Sequence, residues 1–372
     1  MTIAVHISFP DVPNDPSKNF NYQCFTILAA KYPEHHFIFL FDRQFSPFAA
    51  GQPNITPVLL SPQIRNRLLA HYWYNFKLPS LLKKYNADIF VSDSINLSLR
   101  STAKQCMILQ DISFLEKGNA FSKTDNRYLK RYFKKFVAKA ACISVTTSQQ
   151  ADTISKSFPG TADNIHTVGY GLDIVSKEKS YDEIQHIKDK YTEGKEYFIC
   201  YITDASAANT ITVLKAFSSF KKRQLSNMQL VLSLAPSQKE NTIKELSTYK
   251  YRSDVKTVAI ENNTSLAEIT AAAYAAIYLP SVESMETEAL IALKTNTTLV
   301  SISNGFCKSL YNDAALYTRL EEKSIAEKMM LLYKNENLRN DLAGIGKIVG
   351  SIYTWENTAA NLWQAIVHTA EQ

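Results

Sequence analysis

The chain has 372 residues, 45% of them apolar and 20% charged, with a formal net charge of +6. That length exceeds one ordinary core and suits two domains of roughly 100–200 residues each, and the balance is that of a globular chain, not a disordered one. The longest apolar run, Ala271–Leu279, is about half the ~18 residues a membrane span needs.

The start has no basic stretch followed by an apolar one, so no secretory signal is read there. Five cysteines stand far apart with no CxxC pair. That speaks against a zinc knuckle or a disulfide framework and for a reducing, cytoplasmic setting. The ten glycines are under half the ~7% norm. Neither GxGxxG nor GxxxxGK[ST] occurs, which excludes a dinucleotide fingerprint and a P-loop, and HExxH and GxSxG are absent too.

The charge is uneven. Residues 1–172 hold 19 Lys and Arg against 11 Asp and Glu; the remainder holds 22 against 24. A positive first half implies an anionic partner such as lipid headgroups, a phospholipid carrier or an acidic glycan. The densest run is Arg127 to Phe136, followed by Lys139. On a helix it gathers Tyr128, Leu129, Tyr132, Phe133, Phe136 and Val137 into one stripe, with cations on the other face. This is either an interfacial basic helix or an ordinary helix with a solvated face. No nucleic-acid-binding pattern accompanies the charge.

In chain order, strand Ile3–Phe9 leads through a polar loop to helix Tyr22–Lys31 and strand His36–Asp42. A long helix over Ile64–Tyr85, strand Asp88–Ser92, short strand Met107–Leu109 and the basic helix follow. Strand Cys142–Thr146, helix Gln149–Phe158 and strand Ile165–Val168 close the first half at Gly169 and Gly171. Asp173–Glu196 is polar and reads as a linker. The alternation then restarts with strands Tyr197–Ile202, Gln229–Leu234, Val255–Ala259, Ala276–Leu279 and Thr298–Ile302. Helices Ala208–Lys221, Leu266–Tyr274 and Glu286–Lys294 lie between them, and Ser324–Lys334, Glu336–Val349 and Thr354–Thr369 end the chain. Such alternation predicts two doubly wound α/β domains with parallel sheets. The expected layout is 1–172, a linker 173–196, 197–351, and a C-terminal helix 352–372 packing back on the first domain. Ligands are expected beyond the carboxyl ends of the strands, in a cleft between the domains.

Several stretches in this order resemble a known family. Leu78–Ile89 is similar to its helix and following strand, and Leu109–Leu115 to its "HDLSFL" loop. Ala141–Ser148 is similar to "RVIAVSE", Val168–Asp173 to "VPNGVD", Asn312–Tyr317 to "GDAALY" and Tyr353–Ala359 to "FSWEKTA". From Trp73 to Trp363 the chain thus resembles the retaining nucleotide-sugar glycosyltransferases of family 4, which share the GT-B architecture of two Rossmann-like domains.

The resemblance implies transfer of a sugar from a nucleotide-sugar donor to a glycan or lipid-linked acceptor, with retention of configuration and no essential metal or other cofactor. The family's "HD" loop falls on Gln110 and Asp111, so the His is replaced while Asp111, a candidate acceptor-side acid or base, is kept. Its phosphate-binding cations fall on Thr203, Asp204, Ala208 and Asn209, none of them cationic. Its first glutamate falls on Glu283, the candidate donor-side carboxylate, and its second on Ile291; Glu286 and Glu288 are the other acids nearby. The glycine loop between the two glutamates becomes Ser284 and Met285, and the acceptor-side glycines become 17–20. Ser303, Asn304 and Gly305 follow a strand and would offer backbone amides to a diphosphate. The missing cations keep a second hypothesis open, a catalytically inactive GT-B homologue serving as a partner subunit or glycan-binding module. Peripheral contact with an anionic membrane at the inner face is the expectation for the basic first domain.

Overall fold

The structure, a computed structural model, describes residues 1–8, 19–42, 51–61, 67–115, 123–174, 179–203, 206–235, 238–260, 262–281 and 287–371. Contacts divide the chain into two compact units, Met1–Gly171 with Thr354–Gln372, and Leu172–Tyr353.

The first unit runs β1 (Thr2–Ile7), α1 (Phe20–Lys31), β2 (His36–Phe41), β3 (Ile55–Leu59), α2 (Arg67–Tyr72), a π-helical turn (Trp73–Lys77) and α3 (Leu78–Lys84). It continues with β4 (Ile89–Ser92), β5 (Lys104–Leu109), α4 (Lys123–Lys139), β6 (Cys142–Val145), α5 (Ser148–Ser157) and β7 (Ile165–Thr167). These strands form one parallel sheet in the order β3-β2-β1-β4-β5-β6-β7. Strands such as β1 and β2, apolar on both faces, need cover on both sides, and two buried clusters supply it. On one face lie α1 and the C-terminal helix, where Trp363 stacks on Tyr32 with ring centroids 4.4 Å apart. On the other lie Trp73, Leu78, Leu82 and the apolar stripe of α4, with Phe133 and Phe136 buried.

The second unit runs α6 (Tyr181–Thr192), β8 (Tyr197–Ile202), α7 (Thr210–Gln224), β9 (Gln229–Leu234), α8 (Lys239–Ser247), β10 (Val255–Ala259) and α9 (Asn263–Ala271). It continues with β11 (Ala275–Tyr278), α10 (Thr287–Lys294), β12 (Leu299–Ile302), α11 (Gly305–Tyr311), β13 (Ala315–Thr318), α12 (Glu322–Lys334) and α13 (Glu336–Ser351). Its parallel sheet has the order β10-β9-β8-β11-β12-β13. α14 (Trp355–Glu371) belongs to the first unit and packs chiefly on α1.

Four features depart from the sequence reading. The segment read as a linker carries α6, started by a capping box of Ser180 and Glu183 and stopped by Glu193 in the left-handed conformation, and it belongs to the second unit. Its polarity is that of an exposed helix face. The long helix expected over 64–85 is broken at Trp73–Lys77 by a π turn. Pro79 has no N–H to give Asn75, and a wider turn keeps its ring off that carbonyl. Strands β3 and β13 were unread, as were helices α8 and α11. Both strands are edges of their sheets, short and partly exposed, so neither shows a buried apolar run.

The Gly169 and Gly171 pair closes the first unit by packing. A Cβ at Gly171 would lie 2.2 Å from the Trp355 ring, so only glycine seats the start of α14 there.

Candidate functional site

In each sheet the strand order reverses once, between β1 and β4 and between β8 and β11. Neighbouring loops part at such a point and leave a crevice beyond the strand ends.

At the first switch point β1 carries His6 one residue before its end and β4 runs into Asp93. His6 Nδ1 lies 2.9 Å from Asp93 Oδ1, with the two side chains 4% and 1% exposed. The other carboxylate oxygen accepts from Ser8 N at 2.7 Å, Ser8 Oγ at 2.8 Å and Asn19 Nδ2 at 2.9 Å. The Tyr74 hydroxyl, carried on the π turn, lies 3.2 Å from His6 Nδ1 and 2.9 Å from Ser94 Oγ. Burial alone would pull the His6 pKa down, but the Asp93 carboxylate outweighs it and holds the imidazole above its ordinary value. Burial alone would raise Asp93; His6 and the hydrogen bonds from Ser8 and Asn19 outweigh it and hold the carboxyl below the usual range. Each group thus favours the charged form of the other. Among the described residues, buried His6 Nε2 and Trp73 Nε1 make no hydrogen bond.

Asp93 also lines a cavity of about 440 Å³ beyond β4 and β5, and so do Gln110 and Asp111. The structure thus brings both predicted residues of this loop to one cavity. The carbonyl of Gln110 accepts from Gln150 Nε2 at 3.0 Å, while Gln150 Oε1 takes the Thr146 amide at 3.0 Å and the Thr146 hydroxyl at 2.8 Å. Gln150 also completes the capping box of α5, so one buried side chain fixes the loops after β5 and β6 together. Across the cavity, α4 contributes Tyr128 and Leu129, and Tyr128 donates to Asn96 Oδ1 at 2.9 Å. The outward face of α4 exposes Arg127, Arg131, Lys134 and Lys135.

At the second switch point the partners are neutral. Thr203 N donates to Ser206 Oγ at 2.9 Å, and Ser206 Oγ donates to the Tyr201 carbonyl at 2.7 Å. Asn209 is buried and donates from Nδ2 to the Leu279 carbonyl at 2.7 Å and to Ser281 Oγ at 3.0 Å. It thereby joins the loop after β8 to the loop after β11. Thr203 and Asn209 stand at this point as the sequence placed them; Asp204, Glu283, Ser284 and Met285 lie outside the described residues.

Ile291, where the second family glutamate falls, is fully buried in α10. The acid in the first turn of that helix is Glu288, half-buried, whose carboxyl burial holds above its usual range. It is close enough to Tyr201 to add to the upward push that burial gives that hydroxyl. A half-buried carboxyl raised by its surroundings at a strand-end crevice marks a candidate functional group that the sequence reading had noted only as an acid near Glu283.

Asn304 caps α11 by accepting from Cys307 N at 2.7 Å, and two of the amides expected to meet a diphosphate donate elsewhere, Ser303 N to the Thr318 carbonyl at 2.9 Å and Asn304 N to the Ile302 carbonyl at 3.1 Å. Ser303 instead lines a separate polar cavity of about 470 Å³ beyond β12 and β13, with Arg319, Lys323 and Lys328. Two features had no signal in the sequence. His6 and Asp93 are separated by 87 positions, and Gln150 is an ordinary polar residue until its two loops are in place. Among the described residues no group of three or more His, Cys, Asp or Glu is placed to hold a metal ion, and no helix is long and apolar enough to cross a membrane.

No protein-family model matches the chain, and no curated protein matches it in sequence. Solved structures do match in shape. Sucrose-phosphate synthase from Thermosynechococcus elongatus superposes with a TM-score of 0.73 at 14% identity, over 99% of this chain and 98% of that one. HepE of Anabaena, in complex with UDP and glucose, gives 0.71 at 12% identity, over 98% of this chain and 99% of that one. A glycosyltransferase from Rickettsia africae gives 0.69 at 10% identity, over 99% and 98%. At such identities likeness carries the fold, and the two doubly wound units of this chain have the GT-B fold, the architecture of its glycosyltransferase neighbours.

Proposed function

We propose that the chain is a glycosyltransferase that moves a sugar from a nucleotide-sugar donor, bound by the second unit, to a glycan or lipid-linked acceptor, bound by the first. One observation carries the reading: in a GT-B fold, both switch points are furnished with polar side chains locked by hydrogen bonds between the segments that meet there. Groups held in this way are pre-ordered for a ligand and need little reorganisation when it binds.

On the donor side, Asn209 and Thr203 hold the loop frame, and Glu288 and Glu283 are the carboxylates assigned to the donor's hydroxyls and sugar. Ser284, Met285 and Asp204 flank them in sequence. Departure of a nucleoside diphosphate needs fixed positive charge. We assign that part to Arg319, Lys323 and Lys328, which outnumber Glu321 and Glu327 in lining the cavity beside Ser303. On the acceptor side, Asp111 and Gln110 meet the acceptor, and Asp93 shapes the cavity floor. Retention of configuration follows from the family resemblance. The basic face of α4 supports peripheral contact with an anionic membrane from the cytoplasmic side.

The test is a transfer assay with UDP-, GDP- and ADP-sugars, reading release of the nucleoside diphosphate and the anomeric configuration of the product by NMR. Diphosphate release that depends on acceptor, with the donor's configuration kept, is expected. A second reading, a non-catalytic partner subunit or glycan-binding module, is favoured by the neutral partners at the second switch point. It predicts no release with any donor.

A further inference from the structure

We infer that His166 of β7 and His368 of α14 form a two-histidine site for a divalent transition-metal ion, which clips the C-terminal helix to the edge of the first sheet. The two rings meet with centroids 5.8 Å apart and planes 71° apart. A zinc-sized ion sits about 2.0–2.1 Å from each imidazole nitrogen, so two rings that share one have centres roughly 4.5 to 6.4 Å apart as the nitrogen–metal–nitrogen angle opens from right to straight. The observed separation falls inside that range. Planes at an angle are no obstacle, because each ring turns about its own metal–nitrogen bond.

The backbone on either side of the pair is already fixed. On β7, His166 is registered against Ser144 of β6, and two residues later the Val168 carbonyl accepts from Asn361 Nδ2 of α14 at 3.3 Å. On α14, Lys104 Nζ donates to the carbonyls of Thr369 and Ala370 at 3.0 and 3.1 Å, immediately after His368. An ion therefore has two side chains to order and no loop, which keeps the entropy cost of binding small. His166 is half-buried and His368 exposed, so water reaches the pair and completes the coordination of an ion held by two protein ligands. Burial and the approach of His368 hold the His166 imidazole below its ordinary value, which lessens competition from protons at neutral pH.

The ligand type sets the class of ion. Imidazole suits zinc, copper and nickel, whereas calcium and magnesium take oxygen ligands. β7 is an edge strand, and α14 is the segment that returns to the first unit from the second. A shared ion thus braces the end of the chain against the last strand of its sheet. Neither histidine lines the cavities described above, so the site is structural and independent of the transfer reading.

The experiment titrates the tag-free full chain at pH 7.5 with zinc, nickel and copper(II) chlorides by calorimetry, with magnesium chloride as a control. Binding of a single transition ion is expected, weakened about tenfold or more in His166→Gln and in His368→Gln. Zinc should raise the Tm of the wild type but not of either variant, and both variants should melt like the wild type without metal. His35→Gln serves as a further control, because His35 Nδ1 lies 3.1 Å from the N-terminal amine, another place where two nitrogens meet. It should leave the affinity unchanged. The electron paramagnetic resonance spectrum of the copper(II) form should show coupling to two nitrogens. No binding at millimolar metal, affinity that survives both His166→Gln and His368→Gln, loss of the ion in His35→Gln alone, or coupling to a single nitrogen overturns the inference.

Discussion

At the β1–β4 switch point of the first unit, a histidine and a carboxylic side chain lie buried 2.9 Å apart; at the β8–β11 switch point of the second, a buried asparagine and hydroxyls bridge the same kind of gap. The topology is shared, and in both units it leaves two loops that must be held together across a crevice. An ion pair buried at the first is costly to desolvate and is stable only because both charges are present and Ser8 and Asn19 satisfy the remaining lone pairs. A neutral bridge at the second carries no such interdependence, and Glu288, an acid near it among the described residues, is disfavoured as a charge by burial. The fold thus fixes where the crevices open, while the residues at each point decide how much electrostatic energy that place stores.

The largest effect should come from unbalancing the first point. His6→Ala leaves Asp93 buried and uncompensated, at a cost of about 3–5 kcal/mol, or a Tm roughly 10 °C lower by calorimetry. The double variant His6→Asn with Asp93→Asn should be less destabilised than the two single changes added together, which a double-mutant cycle reads directly. The pH dependence has a definite sign. The raised His6 pKa makes its contribution complete below the unfolded value of about 6.5 and lost as pH rises through the folded one. The lowered Asp93 pKa makes its contribution present above about 3.9 and lost as pH falls through the folded value. The Tm difference between wild type and the double variant should therefore be greatest between about pH 4 and 6.5. A flat difference across that window would mean that the pair is not ionised.

A smaller loss is expected at the second point. Asn209→Ala removes two hydrogen bonds and leaves the Leu279 carbonyl without this partner, costing about 1–3 kcal/mol. It should also weaken nucleotide binding, since the loops after β8 and β11 are no longer tied. Equal loss of stability with unchanged nucleotide affinity would separate Asn209 from the donor site. The smallest change in stability should come from Glu288→Gln. Because burial raises this carboxyl, stability falls as pH rises through its folded pKa, and the amide removes that fall. Its Tm should rise slightly at neutral pH while donor KM increases roughly tenfold, a loss of about 1.4 kcal/mol of binding.

Buried strands were the legible part of the fold. Tyr197–Ile202 and Gln229–Leu234 coincide with β8 and β9, which are buried along their whole length and leave little choice. Of the four edge strands, β7 and β10 were read while two were illegible: β3 contains Pro57 and exposes Leu59, and β13 is four residues long. For the site, Gln110 and Asp111 were readable from the loop they share with a family pattern. His6, Asp93 and Gln150 were not, because each acquires meaning only from a residue tens of positions away. Glu288 was visible as an acid but not as a half-buried one, a property that arises when α10 is set against the sheet.

The most direct measurement is a thermal-shift titration of the intact protein with UDP, GDP, ADP and their sugars, with and without magnesium, beside Asn209→Ala and Glu288→Gln. The account predicts that one nucleotide series stabilises the wild type, by about 2.7 kcal/mol at a hundredfold excess over Kd, and that both variants blunt the shift. A folded protein that no nucleotide stabilises at millimolar concentration would contradict a donor site in the second unit.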